Sequence, residues 1–131
     1  MYLTLLGVVL LAAVVSFLAG WLWYSPKLFG NVWMKELGYT KESMGRNKKK
    51  MMQTMVATLI GEILKAFFLL FLSVGLGLNQ FFLAFIIWIG FVIPVLLAFS
   101  LYEKRSWKLF YISAGYQFVS LLLMGLIFYF V

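Results

Sequence analysis

Glu62 and Lys65 are charged side chains set inside a long apolar run, Met55 to Leu78. Three residues apart, they share one face if that run is helical. A carboxylate and an ammonium so placed can pair, hold a cation or pass a proton, and ionisable groups inside membrane spans commonly mark such sites. Other chemistry is thinly supplied. The chain has no His and no Cys, and its four acidic residues are all Glu. Disulfides are therefore excluded, and the usual ligands for zinc, iron or copper are missing. Met44, Met51, Met52 and Met55 add only soft thioethers, a poor metal site without imidazole or thiolate. General acid–base catalysis needs two poised groups, and the apolar run offers one carboxylate. The sequence predicts no enzyme and no cofactor.

The elements that must position this pair follow from composition. Hydrophobic residues make up 65% of the 131 and charged residues 11%, against roughly 45–50% and 25% in a soluble domain. That much apolar surface calls for lipid as solvent. The fold class predicted is all-α, a single integral membrane domain over 1–131 built as a bundle of four transmembrane helices. Spans are expected at about 3–24, 52–78, 81–102 and 108–131, each with the ~20 residues needed to cross ~30 Å of hydrocarbon. The first span reads as a retained helix rather than a cleaved leader, because it lacks a basic start and runs on into Trp21-Leu22-Trp23-Tyr24. Asn79 is placed to cap the third span.

Charge sets the orientation. Lys27, Lys35, Lys41, Arg46, Lys48, Lys49 and Lys50 lie in the first loop and Lys104, Arg105 and Lys108 in the third, whereas the 78–81 turn and both chain ends carry no Lys or Arg. By the positive-inside rule both basic loops face the cytoplasm and both termini lie outside, in the cell membrane. Trp21, Trp23, Tyr24, Tyr102 and Trp107 form the inner aromatic belt, with Tyr2 and Tyr129 at the outer face. The net charge of +7 suits anionic lipid headgroups at the basic face, worth ~1 kcal/mol per basic residue. No motif supports nucleic-acid binding. In the first loop, Ser25 is expected to cap a short interfacial helix over about 26–37, with Pro26 at its first position and Leu28, Phe29, Val32, Trp33 and Leu37 on one face.

Inside the bilayer the pair needs partners. Fourteen Leu, Ile, Phe and Val residues between Val56 and Leu78 supply about −4 to −8 kcal/mol of insertion free energy at ~0.3–0.6 each. Two unpaired central charges cost about +5 to +7 kcal/mol. The second span therefore inserts only marginally unless its charges are met. Counting inward from Tyr24, Met55, Tyr102 and Lys108 puts Ser16, Glu62, Pro94 and Gln117 at about 10–14 Å depth, with Lys65 at about 15 Å. Pro94 frees the Gly90 carbonyl from its helical bond, offering an acceptor. Ser113, Gln117 and Ser120 make a polar stripe on the fourth span. Ala12, Ser16 and Gly20 make a small-residue stripe on the first, and Ala57 and Gly61 another on the second. The predicted interior layer is Glu62, Lys65, Gln117, Ser16 and the Gly90 carbonyl. Trp88 needs an acceptor for its indole N–H.

Trp23-Tyr24-Ser25-Pro26-Lys27-Leu28-Phe29-Gly30-Asn31-Val32-Trp33-Met34, Gly90-Phe91-Val92-Ile93-Pro94, Tyr102-Glu103, and Ala114-Gly115-Tyr116-Gln117-Phe118-Val119-Ser120 running to Met124-Gly125 resemble the family known as domain of unknown function 1761, small multi-span membrane proteins of microbes. The resemblance covers nearly the whole chain. It implies the architecture and carries no activity with it. Glu62 and Lys65 are singled out by physics alone.

Three functions compete, and on the sequence alone the first ranks ahead of the second. A small ion or solute transporter or channel, acting as a homo-oligomer, would use Glu62 as the coupling carboxylate and Lys65 to tune it. A non-catalytic scaffold or accessory subunit would instead use the polar layer to fix helix register while binding lipids or a partner membrane protein. A membrane enzyme fits least.

Overall fold

The computed structural model describes residues 2–40, 42 and 48–130, with the side chains of residues 2 and 3 left aside. Lys41, Met44, Arg46 and Asn47 of the first loop, and the Tyr2 side chain of the predicted outer belt, lie outside the described residues. Among the described residues there is no strand, and four helical spans are long and apolar enough to cross a membrane: Thr4–Trp23, Lys48–Leu76, Gln80–Tyr102 and Trp107–Phe130. We number the helices α1 (Tyr2–Trp23), α2 (Gly30–Leu37), α3 (Lys48–Leu76), α4 (Gln80–Ile87), α5 (Ile93–Tyr102) and α6 (Trp107–Phe130). A π-helical turn, Trp88–Val92, joins α4 to α5 within the third span.

Pro94 accounts for that wide turn. It has no N–H to donate to the carbonyl four residues back, and its ring crowds that carbonyl. The helix widens just ahead of it, and the Ile93 N–H reaches the Trp88 carbonyl, five residues back.

The turns are closed by local hydrogen bonds. Asn79 Oδ1 accepts from the N–H of Phe81 at 2.9 Å and of Phe82 at 3.3 Å, capping α4 as its type and place predict. The short helix α2 starts at Gly30, four residues later than predicted, because Ser25 does not cap forward. Its hydroxyl donates back to the Leu22 carbonyl at 2.6 Å. The backbone carbonyls of Trp23 and Ser25 then take the N–H groups of Phe29 and Gly30, at 3.0 and 2.9 Å. Gly30 sits so close to the Tyr24 and Ser25 carbonyls that a Cβ would collide with backbone. Helix α2 ends at Gly38, whose φ of 76° is left-handed, with the Tyr39 N–H on the Met34 carbonyl at 2.8 Å.

The core lies where α1, α3, α4 and α6 meet. Val9, Ala12, Ala66, Leu69, Leu83, Ala84, Leu121 and Met124 form one buried cluster. Helix α6 is the central span and the most buried of the four, and the third span is the least buried. Leu64, Phe67, Phe68, Phe71, Val74 and Phe91 are exposed on the outer surface, the arrangement expected when hydrocarbon surrounds the helices. Ala12, Ser16 and Gly20 pack inward together, as predicted. The Ala57–Gly61 stripe does not: Ala57 is exposed, and a Cβ on Gly61 would meet nothing within 4 Å.

Candidate functional site: a buried ion pair closed by tyrosine and serine

Glu62 projects from α3 into the seam with α1 and α6 and is 3% exposed. Its Oε1 accepts from the Tyr116 hydroxyl at 2.7 Å, and its Oε2 from the Ser120 hydroxyl at 3.1 Å. Lys65 lies one turn on along α3, its Nζ 3.1 Å from Glu62 Oε2. The same ammonium donates to Gln117 Oε1 and Ser120 Oγ, each at 2.8 Å. A lysine ammonium has three hydrogens, and Glu62, Gln117 and Ser120 use all of them. The Lys65 charge also stands 5.5 Å from the centre of the Tyr116 ring, a cation–π distance.

Helix α1 supplies the back wall. Ser16, fully buried, donates to the Ser120 carbonyl at 3.3 Å. Its own carbonyl lies 3.1 Å from the Tyr116 hydroxyl. That hydroxyl has one proton and two acceptors in reach, and the shorter bond goes to the charged carboxylate. Gly20 makes room for the phenol: a Cβ there would stand 2.7 Å from the Tyr116 oxygen. No buried side-chain polar atom among the described residues is left without a partner.

The structure thus brings Glu62, Lys65, Gln117 and Ser16 together. It does not bring Gly90 or Pro94 to them. Both are exposed on the outer face of the third span, so the predicted Gly90 carbonyl acceptor is not part of this layer. Equal depth placed these groups in one plane, but helix rotation decides which side of the span they occupy, and here it turns them outward. The residue that residue counting missed is Tyr116. It is one position ahead of Gln117, and the helical stripe through Ser113, Gln117 and Ser120 passes beside it. The Ala12–Ser16–Gly20 stripe was the available signal, since a channel of small residues makes room for a large ring opposite.

A second set of contacts fastens the first and third spans to α6. Trp23 Nε1 donates to the Ile112 carbonyl at 3.0 Å, and Trp88 Nε1 to the Ala114 carbonyl at 2.9 Å. The Trp88 indole thereby has the acceptor its burial requires. Trp23 packs on Phe29 with ring centres 4.6 Å apart, and Tyr24 meets Trp33 at 5.4 Å and Tyr116 at 5.7 Å. Glu36 of α2 lies 3.7 Å from Lys108 at the start of α6. Pro26 stays exposed, and Gly30 is buried under the turn. At the third loop Glu103 and Arg105 pair at 3.0 Å. The described residues hold no group of three His, Cys, Asp or Glu placed to bind a metal.

The turn built by Trp23, Tyr24, Ser25, Phe29, Gly30 and Trp33, together with the α6 face bearing Tyr116 and Gln117, is the part of the structure made from the sequence's most distinctive motifs. A family model described as protein of unknown function (DUF1761) matches residues 8–129. The chain belongs to the DUF1761 family. No curated protein and no solved structure matches it. Four spans of membrane-crossing length and this membership make it a multi-pass membrane protein. The described DUF1761 fold gives most of the motif residues packing work. Trp23 bonds the first turn to α6, while Tyr116, Gln117 and Ser120 are the motif residues that also touch the ion pair.

Proposed function

We propose that this DUF1761 protein is a non-catalytic scaffold or accessory subunit of the cell membrane that binds lipids or a partner membrane protein. Its basic end would face the cytoplasm, both termini would lie outside, and α2 would lie in the interface above anionic headgroups. One observation carries this reading: within a single copy, every donor of Lys65 and both oxygens of Glu62 are already used. A buried pair met on all sides fixes helix register and holds no vacant position for a passing ion. The test is Glu62→Gln in proteoliposomes. The scaffold reading expects lower thermal stability and unchanged cation and proton flux. Loss of a measurable flux with folding intact would overturn it.

A second reading, a small transporter acting as a homo-oligomer, draws support from Lys65 itself. Its side chain is 26% exposed and lines a groove that opens sideways from the bundle. The same proteoliposomes separate the two readings, because a transporter expects Glu62→Gln to abolish flux while assembly survives.

A further inference from the structure

The groove beside Lys65 has a volume of about 430 Å³ and lies between α3, the π-turn of the third span and α6. That is within the ~300–1,000 Å³ of small-molecule sites. Its walls include Leu64, Phe68 and Leu72 of α3 and Phe91 and Val92 of the π-turn, so the lining is hydrocarbon apart from Lys65. A π-turn inside an α-helical span is frequently found at functional sites.

Depth limits what can lie there. Lys65 is 10 residues from Met55 and 11 from Leu76, so about 15 Å of helix separates it from either end of a ~30 Å hydrocarbon layer. Phospholipid headgroups stay at the interface and do not reach the ammonium. A ligand that does reach it has a long apolar chain and a small polar end.

That end must also displace a bonded neighbour, because Lys65 has no spare hydrogen. Ser120 is held by Glu62 as well as by Lys65, at 3.1 and 2.8 Å. Gln117 Oε1, at 2.8 Å, is the exchangeable acceptor. A neutral ester or ketone would only replace one carbonyl with another. A carboxylate adds the attraction of an opposite charge to the hydrogen bond, and so it wins the exchange.

We propose that this groove binds one long-chain carboxylic acid drawn from the hydrocarbon layer, with its chain along Leu64, Phe68 and Phe91 and its carboxylate on Lys65 in place of Gln117. The acid enters undissociated and therefore neutral. Lys65 passes one proton to Glu62 Oε1, 3.3 Å away, and takes the acid's proton in return. The products are a protonated Glu62 and a carboxylate–ammonium pair, so the site's net charge stays at zero throughout. The structure provides for the protonated Glu62. Tyr116 can turn its proton to the Ser16 carbonyl, 3.1 Å away, and accept the new Glu62 proton on its own oxygen, which already stands 2.7 Å from Oε1. The Ser16 carbonyl thus gives the tyrosine proton an acceptor when Glu62 Oε1 becomes a donor.

The proposal deepens the lipid-binding part of the scaffold reading and rests on it. The test uses the whole protein in phosphatidylcholine nanodiscs with a diazirine-bearing palmitic acid, its methyl ester, and a phosphatidylcholine carrying the same acyl diazirine. The acid should label the stretch around Leu64, Phe68 and Phe91 about tenfold more than the ester does. Leu64→Trp, at an exposed position, should block this labelling, and Gln117→Leu should strengthen it by removing the competing acceptor. Equal labelling by acid and ester, labelling spread evenly around the bundle, or no response to Gln117→Leu would each overturn the groove site. If the groove fails while Glu62→Gln still lowers stability without altering flux, the scaffold reading stands. If Glu62→Gln abolishes flux, that reading fails whatever the labelling shows.

Discussion

Replacing Lys65 with Met tests the ion pair most directly. Methionine keeps an unbranched stem of similar length along the groove and removes only the ammonium. Glu62 then keeps its bonds from Tyr116 and Ser120 but loses the cation 3.1 Å from Oε2, in a site only 3% exposed. Removing one partner of a buried pair costs about 3–5 kcal/mol. The two remaining donors offset part of this, so we place the loss near the lower end, about 3 kcal/mol. The double variant Glu62→Gln/Lys65→Met carries no charge at all. Its amide oxygen can still accept from Tyr116 and its amide N–H can donate to the Ser120 hydroxyl, so it should recover at least ~2 kcal/mol of the single variant's loss. Reversible unfolding in mixed detergent micelles, followed by tryptophan fluorescence, measures both. A Lys65→Met cost below about 1 kcal/mol, or a double variant less stable than the single, would refute the account of Glu62 as a carboxylate held by its counter-charge.

Three further substitutions probe the surroundings. Gly20→Ala puts a methyl 2.7 Å from the Tyr116 hydroxyl and should cost about 1–3 kcal/mol, as overpacking does; equal unfolding midpoints for Gly20→Ala and wild type would contradict this. Trp88→Phe keeps the ring beside Phe118, at 4.7 Å, but deletes the bond to the Ala114 carbonyl, for a loss of about 1 kcal/mol in the same unfolding assay. Gly30→Ala drives a Cβ into the Tyr24 and Ser25 carbonyls; protease cleavage after Lys27 or Lys35 should become faster, and an unchanged cleavage rate would show that the turn yields without strain.

Much of the architecture was legible because lipid makes the rules simple. Span lengths, the Asn79 cap and the inward Ala12–Ser16–Gly20 stripe follow from residue type and period alone. Span ends moved by a few residues, as when α3 begins at Lys48 instead of 52. The larger differences share one cause: depth along a helix is readable from residue counts, and rotation about its axis is not. Glu62, Lys65, Gln117 and Ser16 fall together because each has a polar or small neighbour one turn away to mark its face. Gly90, Pro94 and Ala98 share a face in the same way, yet they face outward, so spacing alone does not tell an inward stripe from an outward one. Ser25-Pro26 shows a different limit. The pair fits a helix start, yet here it makes a turn, because the Ser25 carbonyl takes the Leu28 N–H that its side chain would have capped, and the hydroxyl turns back to Leu22.

The polar contacts between spans converge on α6. It accepts the indoles of Trp23 and Trp88 at the Ile112 and Ala114 carbonyls, and it carries Tyr116, Gln117 and Ser120. In hydrocarbon there is little hydrophobic drive between helices, so hydrogen bonds and close packing must specify which spans meet. Helix α1 reaches α6 through Trp23 and Ser16, and the third span reaches it through Trp88. For α3 the side-chain bonds to α6 all come from Glu62 and Lys65, backed by Ala66 and Leu69 in the shared apolar cluster. The two charges that make α3 a marginal span on its own are thus the groups that tie it to the bundle. Weakening them should loosen α3 before its neighbours. In Lys65→Met, amide hydrogen exchange should rise over residues 58–70 of α3 while residues 112–124 of α6 stay protected. A uniform rise across all spans would mean that the pair supports the fold as a whole and does not secure one helix.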